Sequence, residues 1–142
     1  MQRIVLVTGA SRGIGRAAAR AIARTGAHVI AVARTVGGLE DLDDEIKKDG
    51  GDGATLVPMD RRNFDGIDQL GASIHERWGR LDGLFGNAGA LGELSPLTHL
   101  APKMWQEAIE LNVTSNWRLI RSLDPPLRKS EAGSAVFVTS GA

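Results

Sequence analysis

Short apolar runs alternate along the chain with longer stretches in which apolar residues recur at helical spacing. Ile4–Val7, Val29–Val32, Leu56–Val57, Leu81–Phe85 and Ala135–Val138 are brief and nearly continuous, the pattern of strands buried on both faces. Between them, Ile14, Ala18 and Ile22 share one helical face while Arg16, Arg20 and Arg24 line another. Leu39, Leu42 and Ile46 recur amid a charged run from Glu40 to Lys48, and Ile67, Leu70, Ile74 and Trp78 continue the same period. A fourth helix is expected to start at Pro102, a favoured first-turn residue, and to break by Pro125-Pro126. The resulting order βαβαβαβαβ predicts an α/β fold, a doubly wound parallel sheet with helices on both faces.

The Glu40–Lys48 run and the Arg16/Arg20/Arg24 stripe read as solvated helix faces. The fourth helix differs. Trp105, Ile109, Val113 and Ile120 form one apolar stripe, and Ala108, Leu111 and Leu119 fall on another. A helix apolar on two sides is either deeply buried or packed against a partner subunit.

With 142 residues, no internal repeat and no linker-like tract, the chain reads as one domain spanning residues 1–142. Its 17 basic and 17 acidic side chains balance, which removes the overall electrostatic case for a nucleic-acid or anionic-membrane partner. Zero cysteines exclude disulfides, a thiolate nucleophile and Cys-ligated metal, and three scattered histidines argue against a His-built metal site. The apolar run Ile4–Val7 is too short for a signal-peptide core, and no stretch approaches the roughly 18 apolar residues of a membrane span. The expectation is a soluble, cytoplasmic protein.

Thr8-Gly9-Ala10-Ser11-Arg12-Gly13-Ile14-Gly15 follows the first strand and opens the first helix. This is the context of a phosphate cradle. Gly9 permits the tight turn, Gly13 lets the backbone approach a pyrophosphate, and Gly15 lets helix and strand pack closely. The helix N-terminus presents unpaired N–H groups to the anion.

The spacing is TGxxxGxG, and here the chain resembles the short-chain dehydrogenase/reductase family. Further landmarks fall in family order: Asp60 after the third strand, Asn87-Ala88-Gly89 after the fourth, Leu111-Asn112-Val113 in the fourth helix, and Thr139-Ser140 after the fifth strand. The resemblance covers all 142 residues and implies a Rossmann-like, dinucleotide-binding domain. It implies that Asp60 accepts from the adenine amino group; read without the family, Asp60 is a helix cap before Asn63. It implies that Asn87 ties the fourth strand to Thr8, with Ala88 and Gly89 lining the nicotinamide-ribose side. Where the family usually has a second Asn, this chain has Gly86, which is expected to loosen the strand end.

An Asp at the end of the second strand would select NAD. Ala33-Arg34-Thr35 stands there instead. Arg34 and Arg12 could both contact a 2′-phosphate, so NADP(H) is expected over NAD(H). The lesser alternative is that Arg34 is merely an exposed strand-end residue stacking on adenine.

The family moves a hydride between nicotinamide and a carbonyl or carbinol carbon. A Tyr is its acid/base, a Lys lowers the Tyr pKa, a Ser orients the substrate oxygen, and an Asn anchors a relay water. The resemblance maps Ser onto Ser140 and Asn onto Asn112. The sequence contains no Tyr, so the expectation is the cofactor-binding part of a longer reductase or dehydrogenase, inactive by itself. Its substrate would be a small carbonyl compound or alcohol, with Leu91, Leu94, Leu97 and Leu100 of the loop 90–101 hinting at an apolar one. Family habit implies a homodimer or homotetramer through the fourth helix. A second reading is a non-catalytic dinucleotide-binding sensor or scaffold, and a third an inert structural fragment.

Overall fold

Strands β1 (Ile4–Thr8), β2 (His28–Ala33), β3 (Thr55–Pro58), β4 (Gly83–Gly86) and β5 (Ser134–Phe137) alternate with helices α1 (Gly13–Arg24), α2 (Val36–Lys48), α3 (Phe64–Trp78), α4 (Pro102–Ile109) and α5 (Ser115–Arg128). These elements are those of a computed structural model, which describes residues 1–92 and 94–141. All strand pairs are parallel, in the order β3-β2-β1-β4-β5. The expected doubly wound α/β sheet is the fold the chain adopts.

The nearly continuous apolar runs are explained by a division at period two. Ile4 and Leu6 of β1, with Ile30 and Val32 of β2, face one side and pack with Ile67, Leu70 and Ile74 of α3 and Leu119 and Leu123 of α5. Val5, Val7, Val29 and Ala31 face the other side and meet Ala19 of α1 and Leu39, Leu42 and Ile46 of α2. Each fully buried leucine or isoleucine contributes about 1.5–3 kcal/mol. Both faces of β1 and β2 therefore carry a core.

Three expectations need correction. The β4 strand begins after the first residues of the apolar run Leu81–Phe85, because the Leu81 N–H is drawn to the Pro126 carbonyl at 3.0 Å. The fourth helix does not break at Pro125-Pro126; it is interrupted by a π-helical turn at Glu110–Thr114 and continues through both prolines to Arg128. A proline ring holds a helical φ and only removes an N–H. Here the carbonyl that Pro126 leaves without its helical donor, that of Ser122, lies against Gly71 of α3 so closely that no side chain would fit there. The arginine stripe is also not simply solvated. Arg16 pairs with Glu45, Arg20 with Glu45 at 3.0 Å and Asp49 at 2.6 Å, and Arg24 with Asp49 at 3.1 Å, forming an ionic seam between α1 and α2. The hydrogen bond from Arg20 is the main reason the Asp49 carboxyl lies well below the usual carboxylate range.

Among the described residues, no helix is long and apolar enough to cross a membrane.

Candidate functional site

From β1 the chain winds one way to β2 and β3 and the other way to β4 and β5, so the carboxyl ends of β1 and β4 flank a topological switch point. A cleft of about 560 Å³ opens at that edge. All the predicted cofactor-binding residues except Gly15 line it: Thr8, Gly9, Ser11, Arg12, Gly13 and Ile14 from β1 and the loop, Arg34, Asp60, and Asn87, Ala88 and Gly89 from the ends of the other strands.

The loop between β1 and α1 is shaped by its glycines. Gly9 and Gly13 have φ of 63° and 57°, in the left-handed region that disfavours other residues. A Cβ on Gly13 would meet nothing within 4 Å, so its Cα faces open space. A Cβ on Gly15 would collide with the Gly9 carbonyl and come within 2.7 Å of Asn87 Nδ2. Gly15 thus sits behind the cradle and lets the loop close. At the start of α1, Arg12 occupies the cap position in extended conformation and no side chain caps the helix. Uncapped N–H groups beside a glycine that leaves room for a phosphate fit the pyrophosphate of a dinucleotide.

Thr8 joins the two sides of the switch point. Its buried Oγ1 accepts from the Asn87 N–H at 3.0 Å and the Ala88 N–H at 3.2 Å, so the tie runs through the backbone of Asn87. Gly86 does not loosen the strand end. The ring of Phe137 from β5 occupies the space its Cβ would need, and Val138 N–H donates to the Gly86 carbonyl at 2.9 Å.

Asp60 is not the cap of α3. Asn63 takes that place, its Oδ1 accepting from the Gly66 N–H at 3.0 Å. Asp60 Oδ1 accepts from the Arg62 N–H at 2.9 Å and faces Arg62 Nε at 3.6 Å. The hydrogen bond from the Arg62 backbone is the main cause that lowers its pKa below the ordinary aspartate value. Arg34 is exposed at the end of β2.

Asn112 lies in the π-helical turn and clamps the loop after β4. Its Oδ1 accepts from the Ala90 N–H at 2.9 Å and its Nδ2 donates to the Ala90 carbonyl at 2.8 Å. The turn diverts carbonyls from the regular ladder, and side chains take them: Ser115 Oγ donates to the Leu111 carbonyl at 2.6 Å and Asn116 Nδ2 to the Asn112 carbonyl at 2.8 Å. Ser140 is exposed beyond the end of β5. Asn112 stands beside the cleft, its Oδ1 3.4 Å from where a Cβ on Gly89 would lie. Asn112 and Ser140 stand outside the residues that line the cleft.

Leu91, Leu94 and Leu97 are exposed rather than packed on the body; Glu93 in the same loop and Ala142 at the end of the predicted domain lie outside the described residues. The two apolar stripes of the fourth helix separate in part, with Ala108, Ile109 and Leu111 half-buried. Trp105, Val113 and Ile120 are exposed, with Trp117 beside them, while Leu119 is buried and Leu111 lines the cleft.

Sequence reasoning missed Arg61, Arg62 and Asn116, all on the cleft wall. The adjoining Arg61-Arg62 pair directly after a strand-end Asp was the available signal.

A family model described as short chain dehydrogenase matches residues 3–142. The chain is 39% identical over 140 residues to the uncharacterized oxidoreductase YciK of Escherichia coli (strain K12), covering 97% of this chain and 56% of that protein. The crystal structure of a short chain dehydrogenase from Shigella flexneri 2a superposes with a TM-score of 0.91 at 39% identity, over 98% of this chain and 62% of that one. A short chain dehydrogenase from Escherichia coli CFT073, solved in complex with NADPH, gives a TM-score of 0.89 at 39% identity over 95% of this chain and 57% of that one. The chain spans about half the length of the curated relatives it matches. With the family model matching nearly its whole length and the same sheet in solved relatives, the chain belongs to the short chain dehydrogenase family of oxidoreductases.

Proposed function

We propose that the protein binds NADP(H) in preference to NAD(H) and serves a reductase or dehydrogenase acting on a small carbonyl compound or alcohol. The observation that carries this reading is the glycine cradle at the uncapped start of α1, flanked by Arg12 and Arg34 with no carboxylate at the end of β2. The relative solved with NADPH supports the choice of cofactor. In this reading the loop from Gly9 to Gly15 and the start of α1 hold the pyrophosphate, and Asp60 accepts from the adenine amino group. Ala88 and Gly89 border the nicotinamide ribose, Ser140 orients the substrate oxygen, and Asn112 places a relay water from the π-helical turn. When bound, the cofactor would supply the hydride to a carbonyl carbon or accept it from a carbinol carbon. Because the sequence holds no tyrosine, these residues bind and orient but do not perform the proton transfer.

Titration of the purified protein with NADPH and NADH, followed by nicotinamide fluorescence, tests the reading. NADPH is expected to bind about tenfold or more tightly, a difference of about 1.4 kcal/mol. Equal affinities would remove the NADP preference, and binding of neither would remove the dinucleotide site. No NADPH oxidation by this chain is expected against a panel of carbonyl compounds, and turnover would contradict the reading that it binds and orients without transferring the proton. The exposed stripe of Trp105, Val113, Trp117 and Ile120 supports a homodimer or homotetramer, and a monomer by sedimentation would overturn that part.

A further inference from the structure

Asn116 lines the cleft from the first turn of α5, half-buried, and the proposed cofactor reading gives it no task. Asparagine is among the poorer helix formers, because its side-chain amide competes with the backbone for hydrogen bonds. Here that competition falls on one carbonyl. In a regular helix the Asn112 carbonyl would accept from the backbone N–H of Asn116, four residues on. In this chain the side chain intervenes, and Asn116 Nδ2 donates to that carbonyl at 2.8 Å. The backbone bond of the same turn runs from the Ser115 N–H to the Glu110 carbonyl, five residues back. Ser115 Oγ takes the Leu111 carbonyl in the same way at 2.6 Å, but from a buried position.

A π-helical turn holds one residue more than an α-helical turn, so its collapse to regular helix would rotate the turn and α4 by up to about 100° relative to α5. Leu119 and Leu123 fix α5 in the core. The rotation would therefore fall on Asn112, whose amide grips the Ala90 N–H at 2.9 Å and the Ala90 carbonyl at 2.8 Å. Ala90 directly follows Ala88 and Gly89, which line the cleft. Resting on the reading that sets those two residues beside the nicotinamide ribose, we propose that Asn116 is a positioning residue for the cofactor. By occupying the Asn112 carbonyl it keeps the π-helical turn from closing into regular helix, and so holds the segment from Ala88 to Ala90 at the nicotinamide end of the cleft.

N116V and N116T have nearly the same shape, and only the threonine carries a hydroxyl that can donate to the carbonyl four residues back. NADPH and adenosine 2′,5′-bisphosphate, which lacks the nicotinamide half, are titrated calorimetrically into the wild-type protein and both variants. N116V is expected to lose NADPH affinity about fivefold, the worth of one hydrogen bond, and to keep its affinity for the bisphosphate. N116T should stay near wild type for both ligands. Exchange of the Ala90 amide proton, followed by NMR, reads the clamp directly. It is expected to quicken in N116V alone, while that of Leu84 in β4 stays unchanged. A merely structural asparagine would weaken both ligands together. Equal loss for the two ligands in N116V overturns the proposal, as does an N116V that matches wild type in NADPH affinity and Ala90 exchange. An N116T as weak as N116V, or an N116V that fails to fold, overturns it too. Wild type that binds neither nucleotide would instead sink the dinucleotide reading, and Ala90 exchange in N116V would still decide whether Asn116 holds the clamp.

Discussion

Gly13 and Gly15 are near neighbours in one loop and answer to different constraints. Alanine at Gly15 gains about 1 kcal/mol of helix propensity. Its Cβ, however, would run into the Gly9 carbonyl and Asn87 Nδ2, and backbone at that distance cannot swing aside. Overpacking of this kind costs about 1–3 kcal/mol, so G15A is expected to lower the urea midpoint. At Gly13 a Cβ meets nothing, and the cost is confined to the left-handed φ of 57°, about 1–2 kcal/mol. The methyl would stand where a phosphate has to approach. G13A should therefore stay folded, with a cost set by φ alone, and lose NADPH affinity tenfold or more. Urea melts and NADPH titrations on the same two variants check the contrast; a G13A that binds like wild type contradicts it. The spacing of these glycines was legible in the sequence. That Asn87 lies over Gly15 was not, because the contact joins the first turn of α1 to the end of β4, far apart along the chain.

Asp82 shows a second residue-scale constraint. It is buried, accepts from the Ile4 N–H at 2.7 Å and the Ser130 hydroxyl at 2.6 Å, and pairs with Arg80 at 3.2 Å. Burial opposes its ionisation most strongly, but the bonds from Ser130 and Ile4 and the charge of Arg80 outweigh it and hold the carboxyl below 3.8. D82A is expected to cost about 2–3 kcal/mol at neutral pH. A carboxylate with a lowered folded pKa stabilises fully above its unfolded value and loses that contribution as pH falls through the folded one. The gap between wild type and D82A should hold from pH 7 down to about 4 and close below that. A gap that narrows between pH 7 and 5 would show that Asp82 is not the group responsible.

At the scale of elements, the long fourth helix is where local rules were least sufficient. Pro102 marks its start as its chemistry requires, but Pro125-Pro126 do not stop it. The reason lies on another element: Gly71 of α3 presses against the Ser122 carbonyl, and Ser122 Oγ accepts from the Gly71 N–H at 2.9 Å. No window along the fourth helix contains that information. The same contact makes Gly71 a close-approach glycine despite its place inside α3. Helix propensity alone predicts that G71A gains about 1 kcal/mol. Collision with a backbone carbonyl reverses the sign, and G71A is expected to lose about 1–3 kcal/mol in a urea melt. A more stable G71A would mean that α3 and α5 can separate without penalty. The π-helical turn was equally hidden, since Leu111-Asn112-Val113 has ordinary helical composition. It becomes intelligible only when Asn112 is seen holding both backbone groups of Ala90.

For the whole molecule, the balance of 17 basic and 17 acidic side chains conceals a local imbalance. Arg12, Arg34, Arg61 and Arg62 all line the cleft, with Asp60 and Glu107 as its acidic residues among those described. The arginines Arg16, Arg20 and Arg24 are neutralised in the seam with α2. A molecule with no net charge has no monopole field to steer a ligand, so the dependence of binding on salt is expected to arise chiefly from the charges at the cleft. The cleft also draws its lining from β1, β2, the segments that follow β3 and β4, and from α1, α3 and α5, so a ligand there braces both halves of the sheet. At a hundredfold excess over its dissociation constant, NADPH should stabilise the fold by about 2.7 kcal/mol. Screening shortens from about 10 Å at 0.1 M salt to about 3 Å at 1 M. The stabilisation by a fixed NADPH concentration is therefore expected to shrink as salt rises, and that by NADH, which lacks the extra phosphate, to change less. Melting curves with each cofactor across that salt range measure both. Parallel salt dependence for the two cofactors would place the electrostatic contact at the pyrophosphate alone and leave Arg34 without the extra phosphate to read.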